Sequence, residues 1–128
     1  MTDNPSLSLV PLPGTYSIHS LEPGQPLPQI QEGFHSVTVT EEEISVLCLE
    51  EKEIDSQHCS KGWKGLKVEG PLDLSLTGIL HDLSKPLKEA GISIFAIFTY
   101  DTDYLFIPES SFDRSIQVLS DSYTIRLE

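Results

Sequence analysis

The sequence predicts an α+β domain whose second half runs β-α-β-β-α-β, preceded by a strand-rich first half. Three observations carry this. Leu76, Ile79, Leu80, Leu83, Leu87 and Ala90 recur at helical spacing and stop at Gly91. The run I-S-I-F-A-I-F (92–98) is β-branched and aromatic with almost no interruption. The closing S-Y-T-I-R-L (122–127) alternates apolar and polar residues at the period of a strand.

Taken in order, T-Y-S-I-H-S-L (15–21), F-H-S-V-T-V-T (34–40) and I-S-V-L-C-L (44–49) read as three strands. Between the first two, P-G-Q-P-L-P (23–28) stands where a crossover helix would fit, and its prolines oppose one. E-E-K-E-I-D-S-Q-H-C-S-K-G (50–62) is polar throughout and reads as a linker. W-K-G-L-K-V-E-G (63–70) then reads as a short strand with Leu66 and Val68 on one face. The helix over 76–90 carries Pro86 inside it, which should bend it locally, and Gly91 as the residue that ends it. Ile92 to Thr99, apolar on both faces, reads as a central strand covered on both sides. Tyr100 to Thr102 turn into a partner strand, Asp103 to Ile107, closed by Pro108. Ser110 is expected to cap a second helix with Phe112, Ile116 and Leu119 on its apolar face. Tyr123, Ile125 and Leu127 point one way in the last strand. This order builds an antiparallel sheet with both helices on one face, the ferredoxin-like arrangement.

An internal echo joins the halves at an offset of 59: V-T-V-T-E-E-E-I-S-V-L-C-L-E (37–50) lies under A-I-F-T-Y-D-T-D-Y-L-F-I-P-E (96–109). Thr40 falls under Thr99 and Glu50 under Glu109. The match is one of pattern, and it suggests a degenerate copy of the same hairpin.

The 128 residues suffice for one domain, or for two very small units, and a 38% apolar fraction is normal for a folded chain. Eight Lys and Arg against twenty Asp and Glu give a formal charge of −12. No basic stripe exists to displace counterions, which argues against nucleic acid and anionic membranes and favours cationic or zwitterionic ligands. The start, M-T-D-N-P-S-L, lacks the basic and apolar regions of a signal peptide, and no window reaches membrane-spanning length. Cys48 and Cys59 are too few for a disulfide framework. Cys48, within V-L-C-L, reads as a small buried hydrophobe in a reducing compartment, so a cytoplasmic location is expected.

Asp101 and Asp103, in T-Y-D-T-D-Y-L-F (99–106), are the first candidates for chemistry. Residues i and i+2 at a hairpin end can both reach a divalent cation, but no third ligand is near in sequence. Turn chemistry is the simpler reading. The four histidines form no H-x-x-x-H pair. Asp55, His58 and Cys59 invite a zinc reading, yet lack a C-x-x-C knuckle and read better as a solvated linker. One sequence does not decide against a Cys–His or Ser–His nucleophile, although no G-x-S-x-G signature accompanies one. Lys61, Lys64 and Lys67 read as a solvated strand edge, Glu41 to Glu43 as a solvated face, and Trp63 as a core or interface anchor. No cofactor or metal is expected.

G-P-L-D-L-S-L-T-G-I-L-H (70–81) enters the first helix with Gly78 in its first turn, where a glycine costs about 1 kcal/mol relative to alanine in a helix interior. It lets a ligand or another chain approach the unpaired N–H groups, whose positive dipole end suits a carboxylate. Close packing of helix on strand, with no ligand, accounts for the glycine equally well.

L-T-G-I-L (76–80), A-G-I-S-I-F (90–95) and F-T-Y-D-T-D-Y (98–104) together resemble the ACT domain family. The likeness is to small stand-alone proteins related to the ACT pairs of aspartate kinases and of the CASTOR arginine sensors. It covers residues 63–128, an ACT domain, and it extends to 1–62 as a degenerate ACT-like unit and linker through T-E-E-E-I-S-V-L-C (40–48). The resemblance implies a non-catalytic regulatory module that binds an amino acid or similar small metabolite at an ACT–ACT interface. It also implies a homodimer and a regulated partner protein. The ligand positions it implies are Leu76, Thr77, Gly78 and Ile79 at the helix entry, with Tyr100, Thr102 and Asp103 at the strand end. Backbone N–H groups around Thr77 to Ile79 would take an α-carboxylate, Asp103 an α-ammonium, and Tyr100 would supply an amphipathic wall. Leu76 stands where the arginine sensors carry an acidic residue, which points away from arginine. The alternative is an ACT module that serves protein interaction without a ligand.

Overall fold

The computed structural model describes residues 8–69, 79–120 and 124–125. In chain order the elements are β1 (Ser8–Pro11), β2 (Tyr16–Leu21), β3 (Ser36–Val39), β4 (Ile44–Leu49), β5 (His58–Glu69), α1 (Ile79–Glu89), β6 (Phe95–Phe98), β7 (Asp103–Pro108), α2 (Phe112–Leu119) and β8 (Thr124–Ile125). A 3₁₀ turn at Glu109–Ser111 leads into α2. The chain divides into two compact units, residues 14–63 and residues 1–13 with 64–128. Strand β5 contributes its first part to one and its second part to the other.

The inserted unit, 14–63, is a four-stranded antiparallel sheet in the order β3-β4-β2-β5. Alternation along β4 sends Ile44, Val46 and Cys48 to one face, where they meet Leu21 in a buried cluster. No helix covers this face among the described residues. Ile30 from the 22–35 connection and Ile54 from the 50–57 connection pack on it instead. The first connection holds three prolines, Pro23, Pro26 and Pro28, and has none of the helical periodicity that a crossover helix needs.

The helix-bearing unit has the sheet order β8-β1-β5-β7-β6. Leu66 and Val68 of β5, Leu105 and Ile107 of β7, and Leu9 of β1 form one apolar face. Leu83 and Leu87 of α1 and Leu119 of α2 close over it, so both helices lie on the same side, as the spacing predicts. Helix α1 ends in a Schellman motif: Ile92 N–H donates to Leu87 O at 2.9 Å and Gly91 N–H to Lys88 O at 2.9 Å. Gly91 takes φ of +75°, which explains the glycine there. On the opposite face Phe106 is fully buried over Gly65, and a Cβ on Gly65 would sit 2.7 Å from its ring.

Four features differ from the expectations. First, β1 is a strand that the sequence does not announce, being short, ending on Pro11 and followed by Pro13. It lies antiparallel to β5, with Leu9 opposite Val68, and occupies the place expected for the last strand. The last strand, β8, pairs with β1 in parallel, so the sheet is not wholly antiparallel. Second, β5 begins at His58, so part of the polar segment read as linker is strand; it pairs with β2, and its outward residues are exposed. Third, the run 92–98 is not a covered central strand. β6 spans only Phe95–Phe98 and pairs with β7 alone among the described residues; Phe98 is 54% exposed. Its apolar density has another cause, because Ile92 is buried at the end of α1. Fourth, the N-cap of α2 is Ser111, not Ser110, and no side chain caps it; the Ser115 hydroxyl donates to Ser111 O at 2.8 Å. Tyr123 and Leu127 lie outside the described residues.

The two hairpins repeat each other closely. β3 and β4 lie 59 positions before β6 and β7 at both ends of each strand. Val37 faces Val46 as Ala96 faces Leu105, and the registers agree at every pair.

Candidate functional site

The β6–β7 turn is built by Thr99. Its N–H and its hydroxyl both donate to Thr102 O, at 2.8 and 3.0 Å, and Thr102 N–H donates back to the Thr99 hydroxyl at 3.1 Å. Thr40 does the same in the β3–β4 turn. Its N–H and hydroxyl donate to Glu43 O at 2.9 and 3.2 Å, and Glu43 N–H donates back at 3.0 Å. A threonine that closes both sides of a four-residue turn fixes the direction in which the next strand leaves.

That next residue is Asp103, the first of β7. It is half-buried, and burial raises its carboxyl above the usual carboxylate value. Its carboxylate has no hydrogen-bond or ion-pair partner among the described residues. In the other hairpin its counterpart is Ile44, which is buried in the apolar cluster. Asp101 is exposed at the turn, as a turn residue should be. Tyr100 is 84% exposed. The structure thus brings Tyr100, Thr102 and Asp103 together on one turn. Ile79 opens α1. Leu76, Thr77 and Gly78 lie outside the described residues.

The other candidates resolve more simply. Among the described residues no group of three or more His, Cys, Asp or Glu side chains is placed to hold a metal ion. Glu41, Glu42 and Glu43 are exposed in the β3–β4 turn. Trp63 is half-buried, and its indole N–H donates to the Ser60 hydroxyl at 3.0 Å. Lys67 pairs with Glu69 at 3.3 Å along β5. No helix among the described residues is long and apolar enough to cross a membrane. Both cysteines are free, Cys48 buried and Cys59 exposed.

Comparison with known proteins gives this geometry a family. The family model for the ACT domain matches residues 58–121, from the start of β5 past the end of α2. The chain belongs to the ACT domain family. ACT domains are regulatory ligand-binding modules, and this ACT protein shares that general class. It is similar over nearly its whole length to the Agobacterium tumefaciens protein Atu0741, at 30% identity and a TM-score of 0.88, covering 98% of this chain and 96% of that one. Its fold is shared by aspartate kinases. The Clostridium acetobutylicum enzyme is 7% identical with a TM-score of 0.68, over 91% of this chain and 34% of that one. Escherichia coli aspartokinase III, solved with aspartate and ADP, is 13% identical with a TM-score of 0.61, over 94% and 34% respectively. A search of curated proteins finds no match.

Proposed function

We propose that this ACT protein is a non-catalytic sensor that binds a zwitterionic amino acid or similar small metabolite. Its site is the entry of α1 together with the β6–β7 turn. The observation that carries the reading is Asp103: a half-buried carboxylate without a partner among the described residues, held at the start of a strand by a turn locked on Thr99. Burying such a group costs stability unless a cation offsets it, and a ligand ammonium is the missing cation. In a strand–helix–strand crossover the helix runs back along the sheet, so the start of α1 and the end of β6 belong to the same end of the unit. Backbone N–H groups in the Leu76–Ile79 segment, which leads into α1, would take the α-carboxylate. Thr102 would shape the pocket floor through its fixed backbone, and Tyr100 would close over the ligand. Aspartokinase III, a neighbour in fold, was solved with an amino acid bound, which fits this ligand class.

The inserted unit is best taken as a degenerate ACT-like copy, with its two crossover helices replaced by connections. The repeated register and the matching threonine turns support that origin. Ile44 in place of Asp103 removes the ammonium contact from this copy, so one ligand per chain is expected. A homodimer that reports ligand state to a regulated partner protein in the cytoplasm completes the proposal. The second reading is an interaction module without ligand, and exposed Phe98 and Tyr100 at the edge of β6 favour it.

Thermal unfolding in the presence of each of the twenty amino acids separates the two. Ligand at one hundred times its dissociation constant stabilises by about 2.7 kcal/mol. The sensor reading expects one or a few related amino acids to raise Tm in wild type and to lose that effect in Asp103→Ala. A folded protein that no amino acid stabilises would support the interaction module instead.

A further inference from the structure

We propose that Cys59 is a modification site, a surface thiol served by His19 as base and open to exchange with small disulfides. The sequence sets Cys59 beside His58, but neighbours along a strand point to opposite faces. The histidine that reaches the sulfur comes from the adjacent strand. His19 of β2 stands opposite Cys59 of β5, and its Nε2 lies 4.0 Å from Sγ. The imidazole is only 6% exposed, while the thiol it faces is exposed. A buried ring keeps its orientation, and this one is held further by Ser56, whose Oγ lies 3.0 Å from Nδ1.

Two circumstances leave this histidine free to accept a proton. Burial, and then the positive charge of Lys61, lower its basicity, which makes it a weaker base but keeps the ring neutral and Nε2 unprotonated at neutral pH. A neutral ring that donates from Nδ1 to Ser56 presents the lone pair of Nε2 toward the sulfur. Among the described residues, Cys59 of β5 and Val46 of β4 stand opposite His19, Ser56 of the 50–57 connection reaches its ring, and the charge that bears on it is Lys61.

The step is a thiol–disulfide exchange. The S–H proton of Cys59 passes to His19 Nε2, the sulfur attacks one sulfur of a disulfide RSSR, and the S–S bond breaks. The departing thiolate takes the proton from His19. Cys59–SH and RSSR become Cys59–S–SR and RSH, with Cys59 oxidised and the leaving sulfur reduced. Cys48 does not resolve the adduct. It sits in β4, on the far side of β2 from β5, and two strand spacings of roughly 4.8 Å each exceed the reach of a disulfide. The product is therefore a mixed disulfide that persists.

The test measures reaction of the whole native chain with oxidised glutathione, and with an aromatic disulfide whose released thiolate is coloured. One adduct per chain is expected, on Cys59 by peptide mass spectrometry, absent in Cys59→Ser, with Cys48 reacting only after unfolding. With His19 at hand as general base, Cys59 should react at neutral pH at least about tenfold faster than the thiols of the unfolded chain. His19→Gln should bring it down to that rate, and Ser56→Ala should give an intermediate one. The pH profile of wild type should carry an imidazole inflection that His19→Gln lacks, a change that loosened packing would not produce. A native Cys59 no faster than the unfolded thiols would overturn the proposal, whatever the variants do. So would an unchanged rate in a folded His19→Gln.

Discussion

Burial gives Asp103 its interest, and it also gives it a measurable pH signature. Its carboxyl is raised above the ordinary value, so the folded chain keeps that proton to higher pH than the unfolded chain does. Between the unfolded and folded values the folded state binds more protons, and stability falls as pH rises across that interval. Above it the charged group costs stability in full. Asp103→Asn without ligand is therefore expected to raise Tm at neutral pH, with the gain shrinking as pH is lowered through the carboxylate range. Thermal scans of the two proteins across that range check it, and a destabilised Asn variant at neutral pH would mean that Asp103 already has a cation. Gly65 makes a second claim at this scale. A methyl there meets the ring of Phe106 and the side chain of Leu12, each at 2.7 Å, so Gly65→Ala should destabilise by about 1–3 kcal/mol in denaturant titration.

The paired hairpins allow a comparison between elements that few chains offer. Thr40 and Thr99 make the same three hydrogen bonds in the same register, so Thr40→Val and Thr99→Val should each cost about 0.5–1.5 kcal/mol and by similar amounts. Equilibrium unfolding of both variants measures this; a large effect in one alone would deny that the turns are equivalent. The end of α1 gives another estimate, since Gly91→Ala forces a side chain into the left-handed region at a cost of about 1–2 kcal/mol. Elements with strong periodicity were legible in the sequence. Leu83 and Leu87 face the core, Gly91 ends the helix, and the strands near 16–21, 36–39 and 44–49 lie within the segments that alternation marks. Elements whose state depends on distant partners were not. β1 is a strand because β5 and β8 flank it, and the first part of β5 is polar because its outward face meets water. β6 has the composition of a central strand yet lies at an edge, where Phe98 stays exposed. Of the candidate site, the turn residues were legible as a unit. The His19–Cys59 pair was not, since forty positions separate residues that only strand pairing brings together.

At the scale of the whole molecule, two units that share a hairpin plan have taken different courses. One keeps both helices over its sheet and a charged residue at the start of β7. The other covers its sheet with connections and has Ile44 at the same place, buried among apolar neighbours. Under the proposed function the division of labour is one of structure against recognition, and it predicts a stoichiometry. Isothermal titration of the whole chain with the amino acids, one at a time and at neutral pH, measures it most directly. The account predicts saturable heat for at least one amino acid, at one ligand per chain, abolished in Asp103→Ala and unaffected in Ile44→Val. No heat from any amino acid, or the same binding in Asp103→Ala as in wild type, would contradict it.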